Sequence, residues 1–190
     1  MVAIDYPLPP GCMSTVWGDD DRFIRTYWSA VPNRQCYSTF DWGIRDEDGY
    51  VFILGRTDDV INVAGHRLGT REIEESLSSH PGVAEVAVVG VQDALKGQVA
   101  MGFCIARDAG RTATEADRMV FEGELMKTVE QQLGAVARPA RVFFVNALPK
   151  TRSGKLLRRA IQAVAEGRDP GDLTTIEDPT ALEQVKESLA

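Results

Sequence analysis

The chain has 190 residues, 44% hydrophobic and 26% charged, enough for one good core and a second small unit. It carries 21 Lys and Arg against 28 Asp and Glu, a formal charge of −7, which argues against a general nucleic-acid binder because such proteins need excess cations to release counterions. Cys12, Cys36 and Cys104 are odd in number and lack a CxxC spacing, so neither a zinc site nor a disulfide framework is indicated and a reducing compartment fits.

In chain order, residues 1–36 hold loop signals at Pro7–Gly11 and Gly18–Asp21 and a short helical pattern in Phe23, Ile24, Tyr27 and Trp28. They have too little apolar material for a core of their own and read as the end of something larger. A hairpin follows, Tyr37–Arg45 and Tyr50–Gly55 around the turn Asp46-Glu47-Asp48-Gly49. The polar Arg56-Thr57-Asp58-Asp59 marks a domain boundary. Beyond it, Val60–Leu68 is a strand pair around Gly65, Thr70 caps a helix over 71–79, and strands follow at 83–91 and 99–106. A helix is expected over 115–133, with Met119, Met126, Val129 and Leu133 facing inward. A strand at 141–145, a loop at 146–155, a helix at 156–165 and a tail from 167 with a terminal helix at 180–189 complete the order. The expected fold is α/β (α+β), a small mixed sheet flanked by helices over 58–166, preceded by a β-hairpin remnant in 1–57 and followed by the tail 167–190. No basic stretch leads into an apolar one at the N-terminus, and no window reaches the roughly 18 apolar residues of a membrane span. A cytoplasmic protein without membrane or nucleic-acid partners is expected.

Four places carry candidate chemistry. Lys155 follows Gly154 on the loop Pro149-Lys150-Thr151-Arg152-Ser153-Gly154-Lys155, where a mobile ammonium can reach a phosphate or carboxylate. The same run, with Arg158 and Arg159, reads equally as a solvated basic patch. It is no P-loop, because Pro149 stands where the first glycine belongs. Arg56 can contact a ribose or phosphate, beside an Asp-rich turn at Asp58 that is also an ordinary loop. Gly65 allows close backbone approach to a thin ligand and Arg67 can balance a phosphate, although a tight hairpin with a surface Arg explains both. Asp41 has two acceptor oxygens for a ribose diol, or is a polar residue on a strand edge.

Together and in this order these segments resemble the AMP-forming acyl-CoA synthetases of the adenylate-forming superfamily. Tyr37-Ser38-Thr39-Phe40-Asp41 is similar to the family's YxTGD motif, with Phe40 in place of Gly. Gly55–Glu74 resembles the hinge motif in the form used by acetyl- and propionyl-CoA synthetases, and Pro149–Lys155 resembles the catalytic-lysine loop. Glu166–Pro179 resembles the C-terminus of propionyl-CoA synthetases more than that of acetyl-CoA synthetases. The resemblance implies a C-terminal fragment: 1–57 ends the large N-terminal domain, and the rest is the small mobile domain and its tail. It implies that Lys155 catalyses acyl-adenylate formation, that Asp41, Arg56, Asn62 and Arg67 contact ATP/AMP, that Asp58 is the hinge, and that Ala64, Gly65 and His66 meet coenzyme A. The substrates are then ATP, CoA and a short-chain carboxylate, propionate rather than acetate. Mg2+ is required by the full-length enzyme with no ligand here, and Lys155 is a target for a lysine acetyltransferase and deacetylase. Two departures stand out: Glu130 replaces an Arg that meets the CoA 3′-phosphate in acetyl-CoA synthetases, and Ala64 replaces a Ser. A free-standing nucleotide- or CoA-binding module and a nucleic-acid-binding domain built on residues 150–159 are the competing readings.

Overall fold

Six valines in Val83–Val99 set the architecture, because a strand with apolar residues on both sides must be covered on both faces. The computed structural model describes residues 1–189, with only the backbone described at Leu54 and Asp58. The chain divides into two units, Met1–Asp58 and Asp59–Ala190.

In the first unit, β1 (Ala3–Asp5) pairs antiparallel with β2 (Cys36–Ser38), and β3 (Asp41–Arg45) pairs antiparallel with β4 (Val51–Arg56). Between β1 and β2 lie the helix α1 (Asp20–Phe23) and a π-helical turn, Ile24–Trp28. The expected strand 37–45 is therefore broken at Thr39–Phe40, where Phe40 takes φ 60°. Buried apolar residues are few here, Phe23 and Cys36. An aromatic cluster compensates: Tyr27 stacks on Tyr37 with ring centroids 5.1 Å apart, and Trp28 meets Tyr37 edge-on at 5.9 Å.

The second unit is a mixed sheet between two pairs of helices. β5 (Val60–Val63) and β6 (His66–Gly69) form a hairpin, followed by α2 (Thr70–Ser78). The helix starts one residue earlier than expected. Gly69 occupies the cap position and Thr70 is buried, so its hydroxyl makes no cap bond. β7 (Val83–Asp93) and β8 (Gly97–Ala106) pair antiparallel along their whole lengths. α3 (Glu115–Leu133) opens with a Thr114–Asp117 capping box, and β9 (Arg141–Phe144) lies parallel to β8. α4 (Arg158–Ala165) and α5 (Thr180–Ser188) end the chain. The strand order is β6-β5-β8-β7, with β9 also paired to β8.

Alternation along β7 divides the core. Val86 and Val88 join Ile73, Leu77, Phe121, Leu125 and Val129 on the α2/α3 face. Ala87, Val89 and Val91 join Phe103, Ile161 and Val185 on the α4/α5 face. The buried stripe of α3 is thus Phe121, Leu125, Met126 and Val129, whereas Met119 and Leu133, expected inside, are exposed. The sheet follows a register that puts Phe121 against Phe144, with centroids 5.1 Å apart.

Side chains from the helices close the free edge of β7. Val88 N–H donates to Glu74 at 2.9 Å, Gly90 O accepts from Gln162 at 2.8 Å and Gln92 N–H donates to Glu166 at 3.2 Å. On β9, Val142 N–H donates to Glu122 at 2.8 Å. Unpaired strand edges invite foreign strands, and these contacts occupy them. Among the described residues no helix is long and apolar enough to cross a membrane.

Candidate functional site

In the first unit, the β3–β4 register places Asp41 directly opposite Arg56. Arg56 Nη1 lies 4.0 Å from Asp41 Oδ1, donates to Thr39 O at 3.4 Å, and has its guanidinium carbon 5.5 Å from the Phe40 ring centre. Thr57 closes the corner, since its N–H and hydroxyl both donate to Phe40 O, at 2.7 and 3.1 Å. Both Asp41 and Arg56 keep part of their side chains in solvent. The result is a carboxylate beside a planar cation at a strand end, able to accept from a diol and donate to an anion. The Asp58 side chain lies outside the described residues. Its backbone belongs to a 3-10 turn, Thr57–Asp59.

The β5–β6 hairpin in the second unit turns on Ala64 and Gly65, at φ 49° and 87°. Two successive left-handed residues match the twist of a two-residue hairpin. A Cβ on Gly65 would meet nothing within 4 Å, so here the glycine answers to backbone conformation rather than to a close approach. Asn62 pairs with Arg67 and Val63 with His66. Cross-strand partners share a face, so Asn62 and Arg67 lie together and His66 lies on the opposite side. Ala64 N–H donates to Lys96 O at 2.8 Å. Behind the turn is a cavity of about 480 Å³ lined by Val63, Ala64, Lys96, Met126, Arg138 and Ala140, among others. Arg138 is held there by Glu130 at 3.3 Å. Lys96 escaped the sequence reading, because it meets Ala64 only through the pairing of distant segments, and its carbonyl, a main-chain acceptor, leaves no residue signature.

Lys155 sits on a small closed loop. Lys150 and Leu156 form an antiparallel bridge. Thr151 N–H donates to Lys155 O at 2.8 Å, Lys155 N–H donates to Thr151 Oγ1 at 3.1 Å, and Gly154 N–H donates to Thr151 O at 2.8 Å. Gly154 takes φ 80°, which favours glycine. The bridge extends the chain through Leu156 and Leu157, so α4 starts at Arg158 and not at 156 as expected.

The neighbouring cations have other work. Lys150 Nζ lies 2.6 Å from Glu85, and Arg158 grips Glu74 with its closest contact at 2.7 Å. Burial opposes the Arg158 charge, but the hydrogen bonds and charge of Glu74, with Asp59 behind, outweigh it and hold the guanidinium above its ordinary value. Lys155 is exposed and makes no ion pair among the described residues. Within the basic run, Lys150 and Arg158 are thus committed to ion pairs with Glu85 and Glu74, while the Lys155 ammonium is exposed. Among the described residues no group of three or more His, Cys, Asp or Glu is arranged to hold a metal ion. Cys104 lies in the core, where burial pushes its thiol up to about 12 and makes it inert at neutral pH.

Residues 72–155 match the family described as AMP-binding enzyme C-terminal domain. Over 189 residues the chain is 63% identical to a propionate–CoA ligase of Salmonella typhimurium, a span covering 100% of this chain and 30% of that protein. It is 48% identical over 179 residues to an acetyl-coenzyme A synthetase of Pyrobaculum arsenaticum, covering 94% of this chain and 26% of that protein. Among solved structures, the ATP-bound MatB of Rhodopseudomonas palustris superposes with a TM-score of 0.58 at 30% identity, over 70% of this chain and 25% of that one. The chain thus spans less than a third of the length of these relatives.

Proposed function

We infer, from the match of residues 72–155 to the AMP-binding enzyme C-terminal domain and from the similarity along the whole chain to a propionate–CoA ligase, that the chain is the C-terminal part of an ATP-dependent, AMP-forming acyl-CoA synthetase making propionyl-CoA. The observation that carries this reading is Lys155, exposed and without an ion pair among the described residues on its closed loop, within a chain similar along its whole length to a propionate–CoA ligase. In the first half-reaction a propionate oxygen attacks the α-phosphorus of ATP and pyrophosphate leaves. Lys155 bridges the two anions there, offsetting their repulsion and stabilising charge that grows in the transition state. Asp41 accepts from the ribose hydroxyls with Arg56 beside it, and Asn62 and Arg67 face the adenylate together.

In the second half-reaction the CoA thiol attacks the acyl carbon and AMP leaves. The Ala64–Gly65–His66 turn meets CoA, and the cavity behind Ala64 supports this, because Lys96 and Arg138 give it cationic groups suited to phosphates. Glu130 holds Arg138, which places a cation near a position where the sequence resemblance had lost one. Asp58, where the first unit ends, is the hinge about which the second unit turns between the half-reactions. The exposed Lys155 is also open to acetylation, which removes its charge and with it the first half-reaction. Mg2+ accompanies ATP in the full-length enzyme, and no residue here is assigned to it. The 48% identity to an acetyl-coenzyme A synthetase favours acetate as the second substrate.

The test is acid-dependent AMP release by the full-length enzyme with ATP and CoA. The reading expects kcat/KM for propionate above that for acetate. A preference for acetate overturns the substrate assignment, and no acid-dependent AMP overturns the activity.

A further inference from the structure

The segment after Gly167 has the composition of a tail, yet it is bound to the lysine loop. Its polar stretch is shaped locally: Asp169 accepts from Gly171 N–H at 2.8 Å, Asp172 from Thr174 N–H at 2.9 Å and Asp178 from Thr180 N–H at 2.9 Å. These turns carry the chain back beside residues 150–152. There Thr151 and Ile176 form an antiparallel bridge, Arg152 N–H donates to Thr175 O at 3.2 Å, and Glu177 N–H donates to Lys150 O at 2.9 Å. Ile176 is 7% exposed and packs with Ala160, Leu182, Leu157, Val164 and Leu173. Thr151 is the residue that holds Lys155 by both its N–H and its hydroxyl. The strap thus grips the residue from which Lys155 hangs, and it is itself anchored in the packing of α4 and α5.

We propose that residues 173–177 are a C-terminal strap that positions Lys155 for adenylate formation, with Ile176 and the Glu177 N–H as its positioning groups. This rests on the reading of Lys155 as the adenylation lysine. The loop residues from Arg152 to Lys155 are all exposed, so no core of their own fixes them. A lysine must nonetheless be placed to within about 1 Å, since misplacement on that scale lowers a rate on the order of a hundredfold. Glu177→Pro removes the donor to Lys150, Ile176→Ala loosens the anchor while leaving every backbone donor in place, and Ile176→Val restores it.

In the full-length enzyme, Glu177→Pro and Ile176→Ala are expected to lower kcat for adenylate formation by roughly ten- to a hundredfold. KM for ATP should change little, thioester formation from supplied acyl-adenylate should stay within about twofold, and Ile176→Val should recover the adenylation rate. In the 190-residue chain, amide exchange at Gly154 and Lys155 should quicken while that at Val88 and Phe103 does not. Equal loss of both half-reactions, or faster loop exchange with unchanged adenylation, overturns the strap. Lys155→Ala in the same assay separates the two ideas. If it abolishes adenylation and the strap variants do not slow it, only the strap fails. If it leaves adenylation intact, the lysine reading fails and takes the strap with it.

Discussion

Ala64 holds a backbone conformation at odds with its side chain. It holds φ 49° in a two-residue turn, where an L-residue with a Cβ is strained by about 1–2 kcal/mol and Asn or Gly is favoured. Asn-Gly is the sequence this hairpin prefers, so a local preference has been set aside at a turn assigned to CoA contact. Such departures concentrate at functional sites. Ala64→Asn is therefore expected to stabilise the chain by roughly 0.5–1 kcal/mol, and Gly65→Ala to destabilise it by about 1 kcal/mol through backbone strain alone. Urea unfolding with an unchanged slope measures both, and a destabilising Ala64→Asn would contradict the account. Phe40 poses the same question, at φ 60° in the place where the resembled motif has Gly. There the ring has contacts of its own, 5.6 Å edge-on to Tyr27 and 5.5 Å from the Arg56 guanidinium, which offset the strain.

Among the elements, Glu74 has the most consequential single role. From α2 it accepts the Val88 N–H on the free edge of β7 and the guanidinium of Arg158 at the start of α4. One carboxylate so ties a helix on one face, the strand edge and a helix on the other face. Glu74→Leu strands a backbone donor and a partly buried cation, and should destabilise the chain by about 2–3 kcal/mol. Glu74→Gln keeps an acceptor for Val88 and should lose less. A change under roughly 0.5 kcal/mol for Glu74→Leu in urea unfolding would show that the edge needs no cap.

The same elements show what a sequence can and cannot disclose. α3 was legible to its ends from its apolar spacing, and the Thr114–Asp117 capping box and Gly134 at φ 88° are what fix those ends. β7 was legible from valine density. The start of α4 was not, since Leu156 and Leu157 suit a helix and only the bridge to Lys150 keeps them out of it. The buried stripe of α3 was misplaced because Met119 and Leu133 fit helical spacing as well as Phe121 and Leu125 do. The strap was invisible because polar turns and backbone pairing at Thr175–Glu177 leave no apolar pattern. Motif residues were legible one by one, but the pairing of Asp41 with Arg56 follows from a register irregularity at Trp42–Gly43 that the sequence does not announce, and the neutralisation of Lys150 and Arg158 appears only once Glu85 and Glu74 are in place.

At the scale of the whole molecule, the chain divides its proposed chemistry between two units. Asp41 and Arg56 lie in Met1–Asp58, and Asn62, Arg67, the hairpin turn and Lys155 lie in Asp59–Ala190. That partition suits an enzyme in which one unit holds the nucleotide while the other exchanges a lysine for a CoA-facing turn, and conformational steps of this kind gate many turnovers. It also fits a net charge of −7 in which Lys150 and Arg158 are paired into structure, which argues against a surface for nucleic acid. The central claim is that Lys155 serves the first half-reaction and not the second. Its most direct test is Lys155→Ala in the full-length enzyme, with pyrophosphate release followed for adenylate formation and propionyl-CoA production followed from supplied propionyl-adenylate. The account predicts loss of the first by on the order of a hundred- to a thousandfold, as for removal of one charge-stabilising donor, with the second nearly intact. Equal loss of both, or of neither, would contradict it.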